Sequence, residues 1–190
     1  VETSLPSIRE ELSIDFCVVN GENTANGVGI TTRIARRLLE AGADVVTTGN
    51  HAFRQKDSEG LYDELENVLR PANVSAPGVP GRGATVAVTA DGVEVAVINL
   101  QGDLFMTTPT SPFLVVDGLV DEALARTPVV LVDFHAEATS EKLAMAQHLD
   151  GRASAVMGTH THVQTNDARV LPGGTAALTD AGMCGPHDSV

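Results

Sequence analysis

Four short apolar runs in this chain end in side chains able to hold a metal ion. Phe16-Cys17-Val18-Val19 runs into Asn20-Gly21-Glu22-Asn23, and Asp44-Val45-Val46-Thr47-Thr48 into Gly49-Asn50-His51. Val129-Val130-Leu131-Val132 leads to Asp133-Phe134-His135, and the run from Ala153 to Met157 leads to Gly158-Thr159-His160-Thr161-His162. Each piece alone has an ordinary explanation. A lone His135 at a strand end is more often a hydrogen-bonding structural residue than a ligand. Asn23 and Asn50, taken singly, are turn residues that tolerate left-handed backbone, and Glu22 beside Gly21 reads as a solvated loop acid. His160-Thr161-His162 is more specific: two imidazoles two residues apart point to one side if strand conformation persists.

The runs gain meaning together. In parallel α/β sheets the carboxyl ends of the strands share one edge, and ligand sites collect there. Four such clusters on one edge favour a metal site. Histidine, carboxylate and amide oxygen without thiolate suit Mn, Fe or Zn rather than a structural zinc knot. The candidates exceed what one ion needs, which points to two ions sharing Glu22 as a bridge. Two ions roughly 3.5–4 Å apart clamp the attacking and leaving oxygens of an in-line displacement at phosphorus, and lower the pKa of a bound water.

The elements that must position these residues are legible in the pattern. Thr32 to Glu40 reads as a helix, with Ile30, Ile34 and Leu38 at four-residue spacing and Gly42 closing it. Lys56 to Leu69 has helical character, with Leu61, Leu65 and Leu69 on one stripe and Arg70-Pro71 ending it. Ala84 to Ala90 and Val93 to Leu100 flank Asp91-Gly92, a strong hairpin signal. Val116 to Ala125 reads as a helix after a loop from Gln101 to Phe113. Thr139 or Ser140 is placed to cap a further helix reaching Leu149, with Leu143, Ala146 and Leu149 inward. Ala176 to Thr179 adds a last strand. Strands alternating with helices imply an α/β fold with a largely parallel sheet, joined by antiparallel hairpin strands. At 190 residues the chain is expected to form one domain, residues 1–190.

Composition narrows the function classes. Twelve Lys+Arg against 25 Asp+Glu leave a net charge of −13, which argues against wrapping duplex nucleic acid. Aromatics at 3% with no Trp argue against a base-stacking platform. A small phosphorylated substrate stays compatible with this charge if a dication pair inverts the local potential. Cys17 and Cys184 form no CxxC pair, so a reducing compartment is expected. No apolar stretch approaches the roughly 18 residues of a membrane span, and Val1 to Glu11 has no leader character; a cytoplasmic protein without a membrane partner is the expectation. Arg33, Arg36 and Arg37 read as a solvated helix face, His148 as a surface residue, and His187 as a tail residue without a visible partner. The composition leaves a homo-oligomer open.

Asn20-Gly-Glu-Asn23, Gly49-Asn-His51, Asp133-Phe-His-Ala-Glu-Ala-Thr-Ser-Glu-Lys142 and Gly158-Thr-His-Thr-His-Val163 resemble the calcineurin-like metallophosphoesterases, and within them the YmdB-like bacterial branch. Arg70-Pro-Ala-Asn73, Ile98-Asn-Leu-Gln-Gly102 and Gly182-Met-Cys-Gly-Pro186 resemble that branch too. The resemblance covers nearly the whole chain. It implies a four-layer αββα sandwich with mixed sheets and a dinuclear Fe or Mn centre, Zn being the alternative metal. It also implies a phosphodiesterase that opens the 2′ bond of 2′,3′-cyclic nucleotides. By the same resemblance Glu22 bridges both ions, Asn23 and His162 join it on one, and Asn50, His135 and His160 join it on the other. His51 would protonate the leaving oxygen.

Members of that branch begin with a strand ending in Gly-Asp, whose Asp completes the first ion's shell, and they continue beyond Val190. Here Val1 falls at about the helix expected after that strand, and Gly102-Asp103 stands in the wrong place to substitute. A chain incomplete at both ends is preferred over one that has lost a ligand and a strand. Two other functions stand beside the phosphodiesterase: a regulatory protein sensing a nucleotide or metal with weak or absent catalysis, and a phosphomonoesterase or 5′-nucleotidase on the same site.

Overall fold

A computed structural model describes residues 1–185; His187 lies outside them. The four ligand-bearing runs become strands of two sheets rather than one. The smaller sheet holds β1 (Val18–Asn20), β2 (Val45–Thr47) and β3 (Val68–Leu69), all parallel in that order. The larger holds β4 (Ala84–Val88), β5 (Glu94–Gln101), β6 (Val130–His135), β7 (Ala155–Thr159), β8 (Arg169–Val170) and β9 (Ala176–Leu178). Its order is β4-β5-β6-β7-β9-β8. Strands β5, β6, β7 and β9 run parallel, while β4 and β8 pair antiparallel at the two edges. Only the larger sheet is mixed.

The helices are α1 (Leu5–Glu11), α2 (Thr32–Glu40), α3 (Ser58–Glu64), α4 (Pro112–Leu124) and α5 (Thr139–His148). Helix α2 starts as its sequence dictates: Thr31 is extended and its hydroxyl accepts from Ile34 N at 3.4 Å. The Asp91-Gly92 hairpin joins β4 and β5 with Ala84 opposite Ile98 and Val88 opposite Glu94. Helix α4 begins four residues earlier than its apolar spacing suggests, because Pro112 is suited to the first helical turn.

Two expectations fail locally. The leucine stripe from Lys56 to Leu69 is not one helix: α3 stops at Glu64, Leu65 turns extended, and Val68–Leu69 pairs with β2. Asn67 anchors this switch by donating to Asp44 O at 3.0 Å. A two-residue strand fully buried beside Val46 gains more from the sheet than from another helical turn. Neither Thr139 nor Ser140 caps α5; the cap position is Ala138, with no side-chain bond. On that helix Leu143 is half-buried, whereas Glu141, Lys142 and Met145 are buried with Ala146 and Leu149.

Three apolar clusters fix the layers. Ile30, Ala35, Leu38, Val46, Leu61 and Val68 pack α2 and α3 against the smaller sheet. Val116, Val120, Met145 and Leu149 pack α4 and α5 against Ile98, Val132 and Phe134 of the larger one. Val45 and Leu69 meet Val95 and Val97 to join the sheets face to face. A fully buried side chain of this size contributes about 1.5–3 kcal/mol, so these clusters hold the two sets of strand ends in register with each other. Among the described residues no helix is long and apolar enough to cross a membrane.

Candidate metal centre

The carboxyl ends of β1, β2, β6 and β7 converge, two from each sheet. This replaces the single shared edge with a cleft where two sheets meet. Glu22 follows β1, Asn50 and His51 follow β2, His135 is the last residue of β6, and His160 and His162 follow β7.

Glu22 is 2% exposed. Its Oε1 accepts from His51 N at 2.6 Å and lies 3.3 Å from His51 Nδ1 and 3.6 Å from His135 Nε2. Its Oε2 is buried with no hydrogen-bond partner. Burial pushes the Glu22 pKa up to about 8, against backbone hydrogen bonds from His51 and Gly49 that pull it down. A buried carboxyl oxygen left without a hydrogen-bond partner is costly unless a cation completes it.

His135 is 1% exposed and held through Nδ1. Its Nδ1 lies 3.0 Å from Thr159 Oγ1, which itself donates to Asp133 Oδ1 at 2.7 Å. The threonine hydrogen is thereby committed to the carboxylate, so the imidazole must donate from Nδ1. That leaves Nε2 with a lone pair, 3.1 Å from His160 Nδ1 and 3.0 Å from Asn50 Oδ1, an oxygen that can only accept, so two lone pairs face each other there. Hydrogen-bonding the far nitrogen to fix the ligating one is the usual arrangement around metal-bound histidines. Asp133 is buried and also accepts from Thr47 Oγ1 and Asn20 Nδ2. Gly49 makes room for this ring: a Cβ there would collide with His135.

The second group is more open. The Asn23 amide is oriented by Gly27 O, 2.9 Å from its nitrogen, which turns its oxygen to His162 Nε2 at 2.8 Å. The same amide nitrogen lies 3.1 Å from His51 Nδ1. His51 thus accepts at Nδ1 and carries its proton on Nε2. Burial first, then the charge of Arg54 and the neighbouring histidines, hold the His51 pKa below its ordinary value. His135 is pushed well down by burial, and His160 is lowered by burial against the opposing pull of Glu137, 3.0 Å from its Nε2.

His160 and His162 do reach the same cleft, but not by alternation along a strand. Strand β7 ends at Thr159, and both histidines have positive φ, 106° and 63°. The chain turns sharply there, sending His160 to the His135 side and His162 to Asn23.

All seven residues singled out in the sequence therefore gather in one cleft. Among the described residues, no three or more His, Cys, Asp and Glu side chains are spaced to hold an ion as they stand; several of the donors hydrogen-bond one another instead. The chemistry of the set still fits a cation. Glu22 Oε2 lacks a partner, and His135 offers a lone pair fixed by Thr159. Sequence reasoning did not assign the residues behind the ligands, namely Asp133, Thr159, Lys142 and Asp180. A carboxylate inside the apolar run Val129 to Phe134 was the one available signal.

A family profile described as "YmdB-like protein" matches residues 1–190. The chain is 50% identical over 190 residues to a Bacillus subtilis protein named 2′,3′-cyclic-nucleotide 2′-phosphodiesterase, covering 100% of this chain and 71% of that one. It is 36% identical to a putative phosphatase/phosphodiesterase of Mycoplasma genitalium, covering 98% and 67% respectively. Among solved structures, a hypothetical protein from Thermus thermophilus superposes with a TM-score of 0.89 at 46% identity, covering 100% of this chain and 72% of that one. A Mycoplasma pneumoniae structure described as a novel phosphatase gives 0.84 at 36% identity, covering 97% and 66%.

Proposed function

Because the chain belongs to the YmdB-like family, we propose that it is a metal-dependent phosphoric diester hydrolase that opens 2′,3′-cyclic nucleotides at the 2′ bond. The single observation that carries the metal requirement is the buried Glu22 carboxyl, whose Oε2 has no hydrogen-bond partner while its Oε1 lies within 3.6 Å of His51 and His135. The substrate rests on the name of the Bacillus subtilis relative. The two sheets with their helices fit the four-layer αββα order that the family resemblance implies.

Glu22 would bridge two ions, with Asn23 and His162 on one and Asn50, His135 and His160 on the other. Fe or Mn suits these nitrogen and oxygen donors, with Zn as the alternative. When bound, such a pair supplies a hydroxide nucleophile and counter-charge for the phosphoryl group. The protein's own part is positional and protonic. Thr159 and Asp133 keep the His135 Nε2 free of a proton, and Glu22 is fixed by the His51 backbone N–H. His51, with its proton on Nε2, would deliver it to the departing 2′ oxygen. The negative charge of a bound phosphodiester favours the imidazolium and counteracts the burial that lowers its pKa.

The test is product analysis. Full-length protein loaded with Mn²⁺ should convert 2′,3′-cyclic AMP to the 3′-monophosphate, and elemental analysis should find about two ions per chain. Metal-loaded protein that leaves the cyclic nucleotide intact overturns the proposal. The names of the Mycoplasma relatives favour one second reading, a phosphomonoesterase; release of inorganic phosphate from the 3′-monophosphate would identify it.

A further inference from the structure

A buried ion pair lies directly behind the turn that carries two of the proposed ligands. Lys142 of α5 and Asp180, which follows β9, have side chains 3% and 2% exposed, with Nζ and Oδ2 2.7 Å apart. Such a pair is an expensive thing to bury. Hydrophobic replacements of similar volume are often as stable, so an ion pair of this kind is weak evidence of a role in stability.

What Asp180 touches suggests another role. Its Oδ2 also accepts from Thr161 N at 3.1 Å and Thr161 Oγ1 at 2.8 Å. Its Oδ1 accepts from Gly182 N at 2.8 Å, and its backbone joins Thr165 through Thr165 N, 3.1 Å from Asp180 O. Thr161 is the residue between His160 and His162. Both histidines are non-glycine residues with positive φ, a conformation that persists only where the surroundings impose it. The route of Lys142 to Asp180 is itself built in. A Cβ on Gly158 would lie 2.8 Å from Lys142 Cδ and would collide with Thr179 O, so only glycine lets the lysine stem pass over β7.

We propose that Asp180, charge-balanced by Lys142, is a positioning residue that clamps Thr161 and so sets the left-handed turn presenting His160 and His162 to the metal centre. The inference rests on the proposed metal site, and it concerns the group behind the ligands rather than the ligands. Asp180 reaches the reaction only through the backbone and hydroxyl of Thr161.

The experiment uses full-length protein, Mn²⁺ as the probe, and two variants. Lys142→Met/Asp180→Asn removes both charges together, which avoids leaving one buried alone. Thr161→Val removes a single hydroxyl contact and keeps the backbone one. Three quantities are read: the melting temperature, the equilibrium dissociation constant for Mn²⁺, and the histidine ring cross-peaks of the metal-free protein by NMR. The double variant is expected to bind Mn²⁺ about tenfold or more weakly, in line with the effect of outer-shell partners. Its His160 and His162 ring signals should shift, while His148, on the surface beside Asp117, stays in place. Thr161→Val should show the same pattern at roughly two- to threefold, a single lost hydrogen bond.

Folded variants with wild-type Mn²⁺ affinity and unmoved His160 and His162 signals would overturn the inference. Should the double variant not fold, Thr161→Val decides alone, by the same two readouts. Wild-type protein that binds no Mn²⁺ would instead refute the metal site, and the metal-free histidine signals would still judge the clamp.

Discussion

The two sides of the cleft are built to different standards. On one, His135 is buried, locked at Nδ1 by Thr159 and backed by Asp133, with Glu22 beside it at 2% exposure. On the other, His162 is exposed and meets Asn23 through one contact of 2.8 Å. The first side is assembled by the fold itself, because β6 and β7 deliver His135 and Thr159 in direct register, paired across the sheet. The second hangs on a turn beyond the strand end. The lesson is that the fold alone positions His135 on the buried side, whereas His162 on the exposed side is held by fewer contacts. Even the buried side is incomplete at one atom, Glu22 Oε2, which has no hydrogen-bond partner.

Breaking the residue common to both sides should have the largest effect. Glu22→Ala is expected to abolish Mn²⁺ binding at both positions, and turnover with it, measured by equilibrium dialysis and by hydrolysis of 2′,3′-cyclic AMP. Retention of wild-type stoichiometry would mean that Glu22 bridges nothing. Next comes His51→Ala, which in the proposed arrangement removes a proton donor and no ligand. Turnover should fall by roughly 10²–10⁴-fold while metal content by elemental analysis stays at the wild-type level. Loss of metal in that variant would reassign His51 as a ligand.

Thr159→Val sharpens the comparison between the sides. Valine keeps the shape of the side chain and removes the hydroxyl that receives the His135 Nδ1–H and donates to Asp133. Metal affinity should fall by about 10–100-fold although Thr159 touches no ion in the proposed arrangement. On the exposed side the support behind His162 is the contact of Asp180 with Thr161, one residue removed from the ring. If affinity in Thr159→Val matches wild type, the buried side is no better prepared than the open one.

How far the sequence disclosed this follows from what each residue depends on. Glu22, Asn50, His135, His160 and His162 were legible because each stands where an apolar run gives way to polar residues, a local pattern. Helix α2 was legible because Ile30, Ile34 and Leu38 keep helical spacing and Gly42 closes the run. The split into two sheets came from the family resemblance and not from the runs themselves, since no run announces which neighbour it pairs with. Strand β3 disappeared into a leucine stripe because Val68 and Leu69 keep helical spacing while tertiary pairing overrides it. Lys142 and Asp180 lie 38 residues apart and meet only through β7 and β9. The turn at His160 and His162 contradicts the strand alternation that their spacing suggests, because Asp180 holds Thr161 from outside.

The smallest effect tests the buried side without any metal. In protein stripped by chelation, Glu22 has a folded pKa near 8 against about 4.3 when unfolded. A carboxyl raised in this way favours the folded state fully below its unfolded pKa, and that contribution is lost as pH rises through the folded value. The lowered histidines His51, His135 and His160 act in the opposite sense. Their contribution is present above the unfolded histidine pKa of about 6.5 and is largely complete by about pH 7. From about pH 7 to 8 the Glu22 loss of about 1 kcal/mol outweighs the roughly 0.4 kcal/mol that the three histidines still gain, so unfolding by urea should show a net loss of at least about 0.5 kcal/mol over that unit. Glu22→Gln should remove the Glu22 loss, leaving the small histidine gain against what Asp133, likewise raised by burial, contributes in the direction of loss. An unchanged slope in Glu22→Gln would show that Glu22 is already ionised in the metal-free fold. The preparation of the buried side would then rest on His135 and its Thr159 contact alone.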